Sequence, residues 1–148
     1  MALQHDCPCG SGTAYDGCCG RLHRGAAQAI TAEELMRSRY SAYAVTDADH
    51  LFRTWHPRTR PEHVLGTPDT TWTRLEILDV VDGGPDDATG IVEFRASYVE
   101  PAGPGGQGTP AAGTPGGLGT PGVGTPGVLH ERSIFERRAG RWVYVSPA

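Results

Sequence analysis

A stretch of glycine, proline and threonine from residue 101 to residue 128 constrains the fold of this chain more than any other feature. It holds 11 Gly and 6 Pro in 28 residues, and no charged side chain. The other 120 residues hold only 10 Gly and 6 Pro together with all 30 charged side chains, which is typical of a globular domain. We therefore expect one domain with a modest core, interrupted by a disordered insert at 101–128.

Gly-Thr-Pro units recur in this insert every five or six residues, which is too irregular for a collagen triple helix. A long connection between two strands costs a folded domain little, about 1.7 kcal/mol when about 28 residues replace about 4. We interpret the insert as a repeat expansion without function. The alternative is a tract for Thr-Pro phosphorylation or for partner docking.

The four cysteines of the chain lie within 13 residues, at Cys7, Cys9, Cys18 and Cys19. Disulfides over such short spacings are unfavourable, and the first six residues lack the basic and apolar regions of an export signal. Four thiolates instead complete the tetrahedral shell that zinc prefers, so the cluster predicts a metal site, with reduced and unligated thiols as the alternative. His5 and His23 flank the cluster and could replace a cysteine as ligand.

The cysteine spacing C-x-C-x8-C-C, with Gly10-Ser11-Gly12 and an aromatic residue at Tyr15, resembles the SEC-C motif. That motif is known from the C-terminal tail of the SecA translocation ATPase and from many other bacterial proteins. The resemblance implies that the four cysteines bind Zn2+ and that the segment mediates protein interaction. Thr13, Ala14 and Asp16 stand where the motif usually carries lysines, which predicts a neutral or acidic face.

Hydrophobic periodicity predicts helices followed by strands. Thr31 and Glu34 form a capping box that begins the first helix, and further helices are expected at 47–56 and 61–65. The period then changes from 3.6 to 2, with strands expected at 72–81, 90–100, 129–138 and 141–146. This order indicates an α+β fold, with the helices packed on one face of an antiparallel sheet.

Two faces of these elements are predicted to be buried. On the first helix the buried stripe consists of Met36, Tyr40 and Tyr43. In the second strand alternate residues share a face, with Val92, Phe94, Ala96 and Tyr98 on one side and Glu93, Arg95 and Ser97 on the other. The charged face either meets water or lines a polar cavity.

Three separated motifs, at residues 34–43, 52–61 and 130–144, follow the cysteine segment. Together they resemble the YchJ family of small, uncharacterised bacterial proteins. The resemblance implies a domain similar to nuclear transport factor 2, in which helices and a curved antiparallel sheet of about four strands form a cone. We therefore expect a zinc-binding knuckle at 1–24 and a nuclear transport factor 2-like domain at 30–148.

Two functions remain open, because domains of this fold serve many purposes. The first is a non-enzymatic adaptor that contacts a protein partner through its zinc knuckle. The second is a small-molecule-binding or isomerase/dehydratase-like pocket in the cone, with candidate lining residues Arg39, Tyr40, Tyr43, Trp55, His56, Arg95 and Arg132. Candidate bases for such a pocket are Asp47, Asp49, Glu93 and Glu131, and no catalytic residue is singled out.

The charge balance bears on the partners of the chain. Its 13 arginines against 17 acidic residues give a net charge of -4, so nucleic acid and anionic membranes are not expected partners. No apolar run approaches the roughly 18 residues of a membrane span. We expect a cytoplasmic protein with an unidentified protein partner, and the sheet is a candidate interface for a homodimer.

Overall fold

Helices precede an antiparallel sheet in this chain, as the change of period predicts. The computed structural model describes residues 5–65, 69–101 and 124–148. A 3-10 turn at Tyr15–Gly17 is followed by helices α1 (Cys19–His23), α2 (Ala32–Val45) and α3 (Ala48–Arg53). The strands are β1 (Thr71–Asp82), β2 (Thr89–Glu100), β3 (Thr125–Arg138) and β4 (Arg141–Pro147). The predicted α+β class is confirmed.

The long helix α2 begins at the predicted cap. Thr31 Oγ1 accepts a hydrogen bond from the Glu34 amide at 3.1 Å, and Glu34 Oε1 accepts one from the Ile30 amide at 2.8 Å. The carboxylate thus reaches one residue further back than in a standard capping box. The helix ends at Thr46, whose φ of 59° places it in the left-handed region.

The two later helix predictions differ from the structure. Helix α3 ends at Arg53 rather than at residue 56, because the chain then pairs with β4: the His56 amide donates to the Tyr144 carbonyl and the Tyr144 amide donates to the Thr54 carbonyl, both at 2.8 Å. The helix expected at 61–65 is wrong, since these residues have irregular backbone. A single turn of helix does not repay its nucleation cost without packing or a cap. The short α1 was not predicted.

The strands form one antiparallel sheet in the order β1-β2-β3-β4. Helix α2 covers one face of the sheet, where Val92, Phe94 and Ala96 are buried as predicted. Strand β3 begins at Thr125, opposite Glu100, so the last four residues of the predicted insert belong to the sheet. Residues 102–123 of the insert lie outside the described residues, and its disorder stays a prediction.

The opposite face of the sheet meets water and is held by ion pairs. Arg95 and Arg74 contact Glu76, while Arg132 contacts both Asp79 and Glu93 at 3.1 and 2.9 Å. Pairs this exposed contribute little to stability, typically below about 1 kcal/mol each. The dimer interface expected on the sheet stays a prediction, and the described face carries exposed apolar side chains, Val81 and Val128, beside its ion pairs. In the part of the chain that the structure describes, no helix is long and apolar enough to span a membrane.

Candidate functional site

The four cysteines converge on one point. The sulfur atoms of Cys7, Cys9, Cys18 and Cys19 all lie within 4.8 Å of one another. Cys7, Cys9 and Cys19 are buried, and Cys18 is half-buried. A tetrahedral zinc shell with bonds of about 2.3 Å places its sulfurs roughly 3.8 Å apart. The donor set and its spacing therefore fit a closed metal site in which every position is taken by protein.

Backbone hydrogen bonds shape the loop that carries the cysteines. The Cys7 amide donates to the Thr13 carbonyl at 2.9 Å, and the Gly10 amide donates to the Cys7 carbonyl at 3.1 Å. Gly10 and Gly12 have φ of 83° and 85°, in the left-handed region that glycine adopts without strain. These two glycines let the loop turn tightly around the cysteines.

The cysteine side chains hydrogen-bond to one another and so shift each other's pKa. Hydrogen bonding from Cys19 and then from Cys9 lowers the pKa of the Cys7 thiol, while the same contact with Cys7 raises the pKa of Cys19. Two hydroxyl groups also reach the sulfurs, Ser41 Oγ at 3.4 Å from Cys7 Sγ and Ser11 Oγ at 3.1 Å from Cys18 Sγ. Hydroxyl donors stabilise thiolates, the form in which cysteine binds metal.

The two flanking histidines are not part of the metal cluster among the described residues. His23 is buried, with Nδ1 at 2.6 Å from the Tyr15 hydroxyl and Nε2 at 2.8 Å from the Ser38 carbonyl. Both ring nitrogens are therefore occupied, and His23 has a structural role. His5 is exposed, and only its carbonyl is engaged, by the Tyr15 amide.

The cysteine segment is part of the main core. Cys7, Cys9 and Cys19 share one hydrophobic cluster with residues of α2 and of the sheet, among them Met36 and Leu75. A bond from Arg37 Nη1 of α2 to the Cys9 carbonyl, 2.8 Å long, ties the loop to the helix. The predicted boundary between a knuckle at 1–24 and a separate domain from 30 is untested, but the two regions pack as one body.

A cavity of about 340 Å³ lies between α2, the segment after α3 and the sheet. Four predicted pocket residues line it, namely Arg39, Tyr40, Tyr43 and Trp55. The other three do not: His56 Nδ1 accepts from the Arg58 amide, and Arg95 and Arg132 belong to the ion pairs on the opposite face. The remaining lining includes Met36, His63, Trp72, Phe94, Leu129, Glu131, Ser133 and Tyr144.

Arg39 supplies a buried positive charge to this cavity. It is only 4% exposed, and its guanidinium carbon lies 4.6 Å from the ring centre of Trp55 and 4.7 Å from that of Tyr144. Its Nη1 donates to the Leu51 carbonyl and to Thr54 Oγ1. Burial lowers the pKa of Arg39 to about 10, so the side chain stays charged at neutral pH.

Glu131 is the one candidate base that lines the cavity. Its Oε2 accepts hydrogen bonds from the hydroxyls of Tyr144 and Ser133, both at 2.7 Å. The other candidates lie elsewhere: Asp47 caps α3, Asp49 pairs with Arg53, and Glu93 is on the charged face of the sheet. Burial and the bond to Glu131 raise the pKa of the Tyr144 hydroxyl.

Sequence reasoning missed several polar or aromatic residues of the cavity, among them His63 and one residue on each of three strands. Trp72, Ser133 and Tyr144 occur on three different strands, and alternation alone gives their face but not the cavity that they share. A second cavity of about 310 Å³ is lined by Trp142, His50 and several arginines. His50 was likewise not predicted to line a cavity.

Comparison with known proteins gives the family of the chain. The family model described as YchJ, middle NTF2-like domain, matches residues 31–147. A UPF0225 protein from Streptomyces coelicolor is 49% identical over 138 residues, covering 93% of this chain and 90% of that protein. One from Deinococcus radiodurans is 40% identical, covering 96% and 88%.

Two solved structures are also similar. The solution structure of a SEC-C motif containing protein from Rhodopseudomonas palustris has a TM-score of 0.72 and 30% identity, covering 97% of this chain and 98% of that one. The crystal structure of a SEC-C motif containing protein from Psychrobacter arcticus has a TM-score of 0.67 at 22% identity, covering 96% and 81%, and supports the fold alone. With the family model spanning most of its length and these relatives spanning nearly all of it, the chain belongs to the YchJ family.

Proposed function

We propose that the four cysteines bind one structural Zn2+ and that the protein acts as an adaptor, contacting a protein partner through the outer side of the cysteine segment. The observation that carries this proposal is the closed set of four sulfurs within 4.8 Å of one another. A site that leaves no position open for substrate orders its surroundings rather than catalysing a reaction. A reducing compartment such as the cytoplasm, which we also propose, keeps such thiols available to metal.

The surface available to a partner is the loop on the outer side of the cluster. Gly10, Ser11, Gly12, Thr13 and Asp16 are exposed, whereas Cys7, Cys9 and Cys19 are buried in the core. Four thiolates outweigh the charge of Zn2+ by two, while the charge of Asp16 is paired with that of Arg24. A partner with a neutral or basic surface therefore suits the loop best.

Affinity capture with surface variants tests the adaptor role. Removing residues 1–24 is unsuitable, because three of the cysteines belong to the core. The double variant T13E/D16R instead changes only exposed side chains of the loop, and T73E/D86R makes the same exchanges at exposed positions on β1 and on the turn after it. We expect a partner from a lysate of the native host to be retained by the wild type and by T73E/D86R, and lost with T13E/D16R.

Melting temperature and zinc content measured on both double variants verify that the fold is intact. A partner retained equally by all three proteins binds elsewhere, and that result would remove the loop from the proposal. A lysate in which no protein depends on the loop would exclude the adaptor role in that host.

The cavity supports a second candidate function, the binding of a small molecule. Its volume of about 340 Å³ lies within the range of ligand sites, and a buried charge beside mostly apolar and aromatic walls is typical of such sites. Catalysis by Glu131 with Tyr144 as proton donor is a finer version of this proposal, in the manner of isomerases that act beside a carbonyl.

The three tryptophans make this second candidate testable by NMR. Trp72 lines the cavity, whereas Trp142 lines the other one and donates its indole N–H to the Ile30 carbonyl at 3.0 Å. We expect the neutral probe 3-phenylpropanamide to shift the indole resonance of Trp72 and to leave that of Trp142 in place. Ala96 lines the cavity, so the larger side chain of A96L should abolish the shift, and a shift that persists in A96L would contradict binding at this site.

A further inference from the structure

We propose that the cavity binds a small organic monocarboxylate, with the carboxylate on Arg39 and the apolar body of the ligand against the aromatic wall formed by Tyr40, Tyr43 and Trp72. This inference rests on the second candidate function, the small-molecule site, and names the class of its ligand. It does not depend on the zinc site or on the adaptor role.

Arg39 has N–H groups that donate no hydrogen bond within the protein. A guanidinium carries five N–H donors, and only the Nη1 group has acceptors, the Leu51 carbonyl at 3.2 Å and Thr54 Oγ1 at 2.8 Å. Nε and Nη2 have no hydrogen-bond acceptor among the described residues, and no carboxylate lies within 4.0 Å of the side chain. Neither atom is among the buried unpartnered atoms of the described residues, so both are accessible, and a bound anion in the cavity would complete the hydrogen bonding of the charge.

Trp55 and Tyr144 fix the position of the guanidinium. Their rings meet edge to face with centres 5.2 Å apart, and the guanidinium carbon packs against both, at 4.6 and 4.7 Å from the ring centres. A planar guanidinium held in one orientation presents paired N–H groups to both oxygens of a carboxylate, which gives shorter and stronger bonds than a single contact. The site therefore selects a planar anion.

The charge of the lining limits the charge of the ligand. Among the described lining residues Arg39 is the one arginine, and Glu131, bonded to the Tyr144 hydroxyl, supplies a negative charge. One cation beside one carboxylate suits a monoanion and repels a phosphate with two charges. Glu131 Oε2 already accepts from Tyr144 and Ser133, and Oε1 is left for a hydroxyl or amino group on the ligand.

The body of the ligand is set by the aromatic wall. Trp72 lies 6.1 Å from the rings of both Tyr40 and Tyr43, and burial raises the pKa of Tyr40 to about 12, so its hydroxyl stays neutral. Phe94 and Met36 complete an apolar surface beside them. An aromatic or branched aliphatic acid matches these walls, whereas acetate or formate would leave them uncovered.

Paired probes of equal shape test the charge requirement. We expect 3-phenylpropionate to shift the Trp72 indole resonance with a Kd about tenfold to a hundredfold lower than that of 3-phenylpropanamide, since a hydrogen-bonded charge contributes about 1.5 to 3 kcal/mol. The acid should bind R39M as weakly as the amide does, and R95M, in which an exposed arginine is replaced, should bind it as the wild type does.

Each other outcome overturns a stated part of the proposal. If acid and amide bind equally, the cavity remains a small-molecule site and the carboxylate assignment is wrong. If neither probe shifts Trp72, both the assignment and the second candidate function fail. Replacing a buried charge by an apolar side chain is often tolerated. If R39M nevertheless fails to fold, the comparison of acid and amide on the wild-type protein decides alone.

Discussion

Removal of the proposed Zn2+ is expected to unfold the cysteine segment and to take most of the stability of the domain with it. Structural zinc contributes apparent binding free energies of about 10 to 16 kcal/mol, which equals or exceeds the total stability of an ordinary domain, about 5 to 15 kcal/mol. The effect reaches the domain because Cys7, Cys9 and Cys19 belong to its core cluster. Without the metal, the thiols of this segment would have to stay protonated in the core, or the segment would have to open and expose them to water.

The measurement is thermal unfolding followed by circular dichroism, with and without a strong zinc chelator, alongside metal analysis. We expect one equivalent of zinc in the purified protein, a large fall in Tm on chelation, and recovery when zinc is added back. The variant C9S should behave like the chelated protein and should not respond to zinc. A chelated wild type with unchanged Tm would show that no structural metal is present.

A matched variant separates the metal from the packing around it. Ser41→Ala removes the hydroxyl 3.4 Å from Cys7 Sγ but leaves all four ligands in place. It should keep its zinc and lose only about 1 kcal/mol, the usual contribution of one hydrogen bond. If S41A lost as much stability as C9S, packing rather than coordination would account for the effect.

The sequence predicted those parts of the molecule that depend on local spacing. The cap at Thr31, the strand positions and the convergence of the cysteines all follow from residues close together in the chain. The predicted end of α3 was wrong because tertiary pairing decides it, and the helix expected at 61–65 was wrong because a single turn does not offset its nucleation cost. Residues 54 to 56 leave the helix and hydrogen-bond to β4, and no local sequence pattern indicates this pairing.

Helix α2 shows why the rest could not be predicted. Its apolar stripe marks the face on the sheet, yet Ser38, Arg39 and Ser41 on its other sides are also buried. They are covered by the cysteine segment, α1 and α3, and their partners lie 12 to 34 residues away in the chain. Polar residues buried in this way carry no periodic signal, so the charge in the cavity could not be recognised as buried from sequence.

Acid is expected to destabilise the protein through His50. This residue belongs to the polar layer behind α2, which we define as His50 together with the buried Ser38, Arg39 and Ser41. His50 is 2% exposed, its Nε2 lies 2.9 Å from Ser38 Oγ, and its ring centre is 4.6 Å from that of His23. Burial, followed by His23, Arg53 and Arg39, lowers its pKa to about 3. The unfolded chain, with a histidine pKa of about 6.5, binds the proton more tightly than the folded protein does.

The direction in which pH changes the stability follows from this difference between the folded and unfolded pKa of His50. The contribution of neutral His50 is fully present above pH 6.5 and is lost as the pH falls from there toward 3, by about 2 kcal/mol at pH 5 relative to pH 7.5. Urea unfolding at both pH values measures the loss. The variant His50→Gln has no titrating ring and should lose about 2 kcal/mol less than the wild type over this interval.

His63→Gln serves as the control, because His63 is exposed and has no salt-bridge partner among the described residues. It should show the same acid sensitivity as the wild type, within a few tenths of a kcal/mol. Any zinc lost in acid affects all three proteins alike, so the difference between them reports the histidine. Equal slopes for the wild type and His50→Gln would mean that water or a proton acceptor reaches His50 in the folded state, and the polar layer behind α2 would then be open rather than sealed.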